Sequence, residues 1–303
     1  MKFSVWPSME RPWSEVHAFA RFIEDLGWHG LWYADHYMPN TGTSETANGP
    51  LHECVSMLAA LAASTSRLRL GSLVTPTTMN HPALIANRAA TIDNISNGRF
   101  VLGLGAGWQI NEHEAFGIDL MEPKARVDRF EEAIRIVSMM LSQERTDFEG
   151  EHFTIKDAPC EPKPVQSTLP ILVGTGGPRM LRIVARHAQE WNTWGPPNDT
   201  AAVVQKLNEV CEKEGRDPGT VHRSVQGLWF IVPDDEAAEK VRAVAPPERS
   251  NIGTTSQLVD IVGQYREQGF DEIIVPDFTL GRTESERFDN YAKFDAEVVS
   301  QFK

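Results

Sequence analysis

Short apolar runs alternate with amphipathic stretches along the whole chain, and each pair reads as a strand followed by a helix. Lys2–Trp6 predicts the first strand. Val16, Phe19, Ala20, Ile23 and Leu26 then share one helical face, which Gly27 ends. Gly30–Ala34 predicts the second strand, and Leu51, Val55, Leu58 and Ala62 mark the next helix. Leu68–Val74 is the third strand, with Pro82 placed for the first turn of a helix over Ala83–Asp93. Arg99–Leu104 is the fourth. Val127, Phe130, Ile134, Val137 and Leu141 give a long helix its face.

The alternation pauses at Asp147–Gln166, which carries Gly150, Pro159, Pro162 and Pro164, with a small hairpin expected at Glu151–Ile155. It resumes with the strand Leu169–Val173, the helix Arg179–His187 and the strand Glu190–Trp194. A helix follows along Val203, Leu207, Val210 and Cys211. Gly227–Val232 reads as the seventh strand and Glu272–Val275 as the eighth. Between them a helix-like segment runs into Pro246–Asn251, a candidate mobile lid. Thr254 with Gln257, and Thr283 with Glu286, have capping-box spacing ahead of the last two helices. Eight such units predict a single (β/α)8 TIM barrel with rim insertions over residues 1–303, with a doubly wound open sheet as the runner-up.

The net charge of −13 argues against nucleic acid or an anionic membrane as the main partner. No apolar run is long enough to cross a bilayer, and Met1–Trp6 leads straight into a strand without a signal core. Cys54, Cys160 and Cys211 are far apart and lack metal-like spacing, so a cytoplasmic setting with free thiols is expected.

A barrel gathers its chemistry at the C-terminal ends of its strands. Asp35, His36 and Tyr37 follow the second strand, and Thr75, Pro76 and Thr77 follow the third. Gly105, Gly107, Trp108, Gln109 and Asn111 follow the fourth. This inventory suits a large planar cofactor better than metal-assisted hydrolysis. No HxH or HExxH motif is present, and no metal is expected. Asp35-His36 reads as acid/base machinery, half a metal site or a structural pair. Gly174–Pro178 leads into a helix, whose free N–H groups and dipole favour an anion. Arg179, Arg182 and Arg186 line one face of that helix, either as a basic track beside a phosphate or as a solvated arginine face.

These residues resemble the luciferase-like superfamily and, within it, the oxidoreductases that depend on the deazaflavin coenzyme F420. The resemblance rests on Trp32-Tyr33-Ala34-Asp35-His36, Leu70–Pro76, Asn80-His81-Pro82, Gly98–Gly117, Val173–Pro178, Glu190-Trp191-Asn192 and Gly269-Phe270-Asp271-Glu272. It implies a barrel, usually dimeric, with a flat redox ring across the strand ends. It also implies a bulge at Ser72–Leu73 with a non-prolyl cis peptide behind the ring. Cofactor contacts are implied at Asp35, His36, Ser72, Leu73, Thr75, Gly107, Asn111, Gly174, Thr175, Gly176, Gly177 and Asn192. Tyr37, Trp108 and Trp194 would shape the pocket for a small organic substrate.

Several deazaflavin relatives carry a glutamate proton donor where this chain has Trp108, so a glutamate mechanism is not carried over and His36 becomes the candidate catalytic residue. The expected activity is hydride transfer between F420 and an organic substrate. The alternatives are an FMN-dependent monooxygenase on the same barrel and, more remotely, a barrel that binds cofactor without turnover.

Overall fold

The computed structural model describes residues 1–303. In chain order its strands are β1 (Lys2–Trp6), β2 (Gly30–Tyr33), β3 (Arg69–Ser72), the short β4 (Thr75–Pro76) and β5 (Phe100–Gly105). After them come β6 (Thr146–Glu149), β7 (Thr154–Ala158), β8 (Ile171–Gly174), β9 (Glu190–Trp194) and β10 (His222–Gln226). The last three are β11 (Leu228–Ile231), β12 (Ser250–Gly253) and β13 (Glu272–Pro276). The helices are α1 (Trp13–Asp25), α2 (Cys54–Ser64), α3 (Pro82–Ser96), α4 (Ile110–Ala115) and α5 (Pro123–Ser142). They continue with α6 (Pro178–His187), α7 (Pro197–Lys213), α8 (Asp235–Arg242), α9 (Thr255–Glu267) and α10 (Glu284–Glu297).

The parallel order β3-β2-β1-β13-β10-β9-β8-β5 is closed by a β3–β5 pairing, so the sheet is a barrel and not an open doubly wound sheet. Its outer faces pack under the helices in a core that includes Val5, Leu31, Leu70, Leu104, Val173 and Ile273. Local chemistry sets the ends of the elements. Gly27 adopts φ 76° just past α1, and Thr254 and Thr283 form both predicted capping boxes.

The seventh barrel strand is His222–Gln226, not Gly227–Val232. Ser224 and Gln226 alternate with Val225, which puts polar groups inside the barrel and an apolar one outside. The more apolar Leu228–Ile231 instead pairs with Ser250–Gly253 in a two-stranded sheet of its own. That pairing orders much of the expected lid: Pro247–Arg249 is a 3-10 turn, and Asn251 is buried in β12. The rim hairpin pairs Thr146–Glu149 with Thr154–Ala158, so Glu151 lies in its turn and not in a strand. Glu132 of α5 fixes that turn by accepting from the backbone N–H groups of Glu151, His152 and Phe153 at 2.8, 3.0 and 3.1 Å.

The third strand breaks after Ser72 and resumes at Thr75. The intervening bulge contains a cis peptide between Leu73 and Val74, one residue beyond the expected Ser72–Leu73. β5 makes room for it. A Cβ at Gly103 would lie 1.9 Å from the Ser72 carbonyl oxygen, and one at Gly105 would lie 2.7 Å from Val74. The alternate glycines therefore admit this backbone, where the sequence pointed to close approach of a ligand or a sharp turn.

The N-terminal end of the barrel is filled by charge. Glu272 is fully buried and accepts from Trp32 Nε1 at 2.7 Å and His222 Nε2 at 3.1 Å. Arg69 pairs beside it with Glu190. This end is closed, so ligand access is left to the other mouth.

Candidate active site

At the C-terminal mouth lies a cleft of about 860 Å³. Its floor is the Leu73–Val74 bulge. One wall carries His36 and Trp108. Gly174, Thr175 and Gly176 line the cleft too, with Asn192, Trp194 and Gln226. Eight of the expected site residues therefore line one space: His36, Leu73, Gly174, Thr175, Gly176, Asn192, Trp108 and Trp194.

The other expected residues are placed differently. Asp35 is buried beside the site, and burial pushes its carboxyl up to about 6 while the Thr75 side chain partly offsets this. Ser72 is spent on the bulge: its hydroxyl donates to the Gly103 carbonyl at 2.9 Å and accepts from the Gly103 N–H at 3.1 Å. Thr75 is buried in β4. Gly107 adopts φ 92°, and a Cβ there would meet Thr78 Oγ1 at 2.3 Å, so its need is a tight turn against Thr78. Asn111 is buried outside the cleft lining; its amide donates to the carbonyls of Pro39 and Glu45 at 2.9 and 3.3 Å, and its Oδ1 has no donor from the protein. Gly177 caps α6, its N–H donating to Thr175 Oγ1 at 3.2 Å. Tyr37 packs edge-on against Phe116 with ring centroids 5.7 Å apart.

His36 is the cleft's imidazole. Its Nδ1 lies 3.0 Å from Glu112 Oε1, and its ring meets the edge of Trp108 at 5.3 Å. Trp108 is 56% exposed, so it stands at the mouth as a wall and not in the core. Glu112 is the partner that sequence reading left without a role. The stretch that carries it reads as a polar loop after the fourth strand, where the structure has α4.

Gln226 was missed because the seventh strand was placed five residues late. It is buried, lines the cleft, and its Oε1 has no hydrogen-bond donor from the protein. Among the tryptophans, Trp28, Trp32, Trp191 and Trp229 are core residues, while Trp194, like Trp108, reaches the cleft. Trp6 joins it there, edge-on to both Trp194 and Phe278 at 5.4 and 5.3 Å.

At the α6 turn the N–H groups of Gly176, Arg179 and Met180 have no acceptor within the chain. They form the anion-favouring end of the helix. The arginine track does not extend it. Arg179 pairs with Asp128, Arg182 with Glu214, and Arg186 with Glu214 and Glu131. The three arginines form the solvated, neutralised face.

Comparison with known proteins places this geometry. The sequence matches the luciferase-like monooxygenase family over residues 1–269. It is 34% identical over 233 residues to an F420-dependent glucose-6-phosphate dehydrogenase of Kineococcus radiotolerans, covering 75% of this chain and 67% of that protein. It is 32% identical over 197 residues to the pyrimidine monooxygenase RutA of Cronobacter sakazakii, covering 63% and 52%. An F420-dependent secondary alcohol dehydrogenase solved with an F420–acetone adduct superposes with a TM-score of 0.84 over 99% of this chain and 98% of that one. At 18% identity, that likeness carries the fold. With its bulged third stave, its glycine-lined fifth strand and the imidazole at the end of its second strand, this chain belongs to the luciferase-like monooxygenase family.

Proposed function

We propose that this protein is an oxidoreductase that transfers a hydride between coenzyme F420 and a small organic substrate. The observation that carries this reading is one cleft lined both by Leu73 and Val74 and by Gly174, Thr175 and Gly176 of the turn into α6, where the Gly176 N–H has no acceptor. The residues fit the cofactor. Gly176 and the first turn of α6 would hold its phosphate through backbone donors. Gln226 Oε1, a buried acceptor without a donor, suits a ring N–H, and Leu73 and Val74 present an apolar face to the ring. When bound, the deazaflavin supplies two-electron hydride chemistry.

The protein's part is to bind, orient and exclude water. Trp6, Trp108, Trp194 and Phe278 give the remaining wall an aromatic surface that favours an apolar substrate body. Arg249 stacks over Trp194 at 5.4 Å and is the sole arginine or lysine of the cleft lining. A sugar phosphate would find little to hold it once the α6 turn is taken, and Trp108 stands where a glutamate donor would be. The substrate class proposed here therefore differs from that of the dehydrogenase relatives. His36 holds or releases the proton that accompanies the hydride.

No helix is long and apolar enough to cross a membrane, and Cys54, Cys160 and Cys211 are buried and unpaired. These fit a cytoplasmic protein. We propose one barrel unit over residues 1–303, acting as a homodimer.

An FMN monooxygenase is the second reading, favoured by the pyrimidine monooxygenase relatives. Incubating the protein with reduced F420 or reduced FMN and an acceptor panel separates the two. Acceptor reduction with F420H2 supports the proposal; oxygen uptake with reduced FMN alone overturns it.

A further inference from the structure

We infer that Glu112 is the positioning residue of His36, fixing its imidazole with the proton on Nδ1 and a bare Nε2 turned to the cleft. The inference deepens the reading that His36 serves the reaction. It stands on three observations about α4 and the residues that lead into it.

Glu112 is only 1% exposed, yet both of its oxygens are engaged. Oε1 meets His36 Nδ1 at 3.0 Å, and Oε2 accepts from the Tyr37 N–H at 2.9 Å. One carboxylate thus grips two consecutive residues, the ring of one and the backbone of the next. A carboxylate has only acceptors, so the facing ring nitrogen must carry the proton. The hydrogen bond at one nitrogen decides the state of the other.

The helix that carries Glu112 is itself pinned. Gln109 Nε2 donates to the Met38 carbonyl at 2.8 Å, and Asn111 donates to that of Pro39. His113 meets the Gln109 carbonyl at 2.6 Å and Thr78 Oγ1 at 2.7 Å. Gln109, Asn111 and His113 fix the loop and the helix, and Glu112 alone of these reaches the cleft imidazole. Trp108 packs against the imidazole in a T-shaped contact with ring centroids 5.3 Å apart.

The consequence for a substrate O–H is balanced. With a redox ring bound to take up the hydride, Nε2 of His36 would accept the proton of a substrate hydroxyl as that group is oxidised to a carbonyl. In the opposite direction the imidazolium returns that proton.

The test needs no cofactor. Protein labelled with 15N-histidine is examined at alkaline pH, where imidazoles are neutral, with His36 assigned from the His36→Gln spectrum. The wild type is expected to show a protonated Nδ1. Glu112→Gln keeps an acceptor for the Tyr37 N–H but offers an amide donor to His36, so the proton should move to Nε2. Carbethoxylation of His36 by diethylpyrocarbonate, read by mass spectrometry, should slow about ten-fold, the effect of losing a hydrogen bond to a charged group. Glu112→Asp should restore the wild-type rate in large part, which a merely structural role would not require. A wild-type His36 protonated on Nε2 overturns the inference, even if Glu112→Gln fails to fold. So does a Glu112→Gln protein with unchanged tautomer and carbethoxylation. Failure of F420 to bind would sink the proposed function and leave these readings untouched.

Discussion

Ser72 and Gly103 are tied by two hydrogen bonds through a single hydroxyl, which donates to one backbone group of Gly103 and accepts from the other. The carbonyl of Ser72 also occupies the place a Cβ at position 103 would take, 1.9 Å away. The cleft floor therefore exists because β5 has no side chain there. Gly103→Ala should destabilise the fold by about 3 kcal/mol, since backbone and not a flexible side chain must move. A urea midpoint equal to that of the wild type would show that the bulge is not locked in this way.

The α6 turn is a more tolerant place. A Cβ at Gly176 meets only Val203, at 4.0 Å, so a side chain fits. Gly176→Asp should leave thermal stability nearly unchanged while placing a negative charge among the free N–H groups. Affinity for an anionic cofactor should fall about ten-fold or more, a change of about 1.4 kcal/mol. Equal binding by variant and wild type would move the cofactor's phosphate elsewhere.

The buried charges at the barrel's closed end set a pH dependence of stability. Burial raises the Glu272 carboxyl, but the His222 hydrogen bond and the neighbouring positive charges outweigh it and hold it at about 2 instead of 4.5. The unfolded chain takes up that proton first, so this stabilisation is present above 4.5 and is lost as pH falls towards 2. Burial lowers the half-buried His29 from 6.5 to about 4, so its contribution is lost between those values on acidification.

Asp35 has the opposite sign. Raised from 3.8 to about 6, it favours the fold below 3.8 and loses that contribution as pH rises through 6. Asp35→Asn should therefore be more stable than wild type at neutral pH and should lose stability more steeply on acidification. Urea melts at a series of pH values check this, and parallel curves for the two proteins would contradict it.

Much of the barrel was legible because its outer faces obey simple periods. Val16, Phe19, Ala20 and Ile23 on α1, and the apolar runs of β2, β5 and β8, mark elements without help from tertiary contacts. The seventh strand was not legible in the same way. His222-Arg223-Ser224-Val225-Gln226 is polar because the barrel interior there is polar, while the neighbouring Leu228–Ile231, with Trp229 buried, pairs in a side sheet. An apolar run thus outweighed the true stave, and Gln226 was lost with it.

The glycines at 103, 105 and 107 were visible, but not what approaches them, because Ser72, Val74 and Thr78 come from distant sequence. Glu112 shows the same limit. The stretch after the fourth strand reads as a polar loop, but it forms α4, and the grip of Glu112 on His36 depends on a contact 76 residues away.

The central claim is that the mouth of this barrel receives F420, with its phosphate at the turn from β8 into α6. Titration of the purified protein with F420 and with FMN, followed by cofactor fluorescence, tests it most directly. The account predicts saturable binding of F420 that is tighter than that of FMN and weakened by Gly176→Asp. Tight FMN binding with none for F420, or binding of neither, would contradict it.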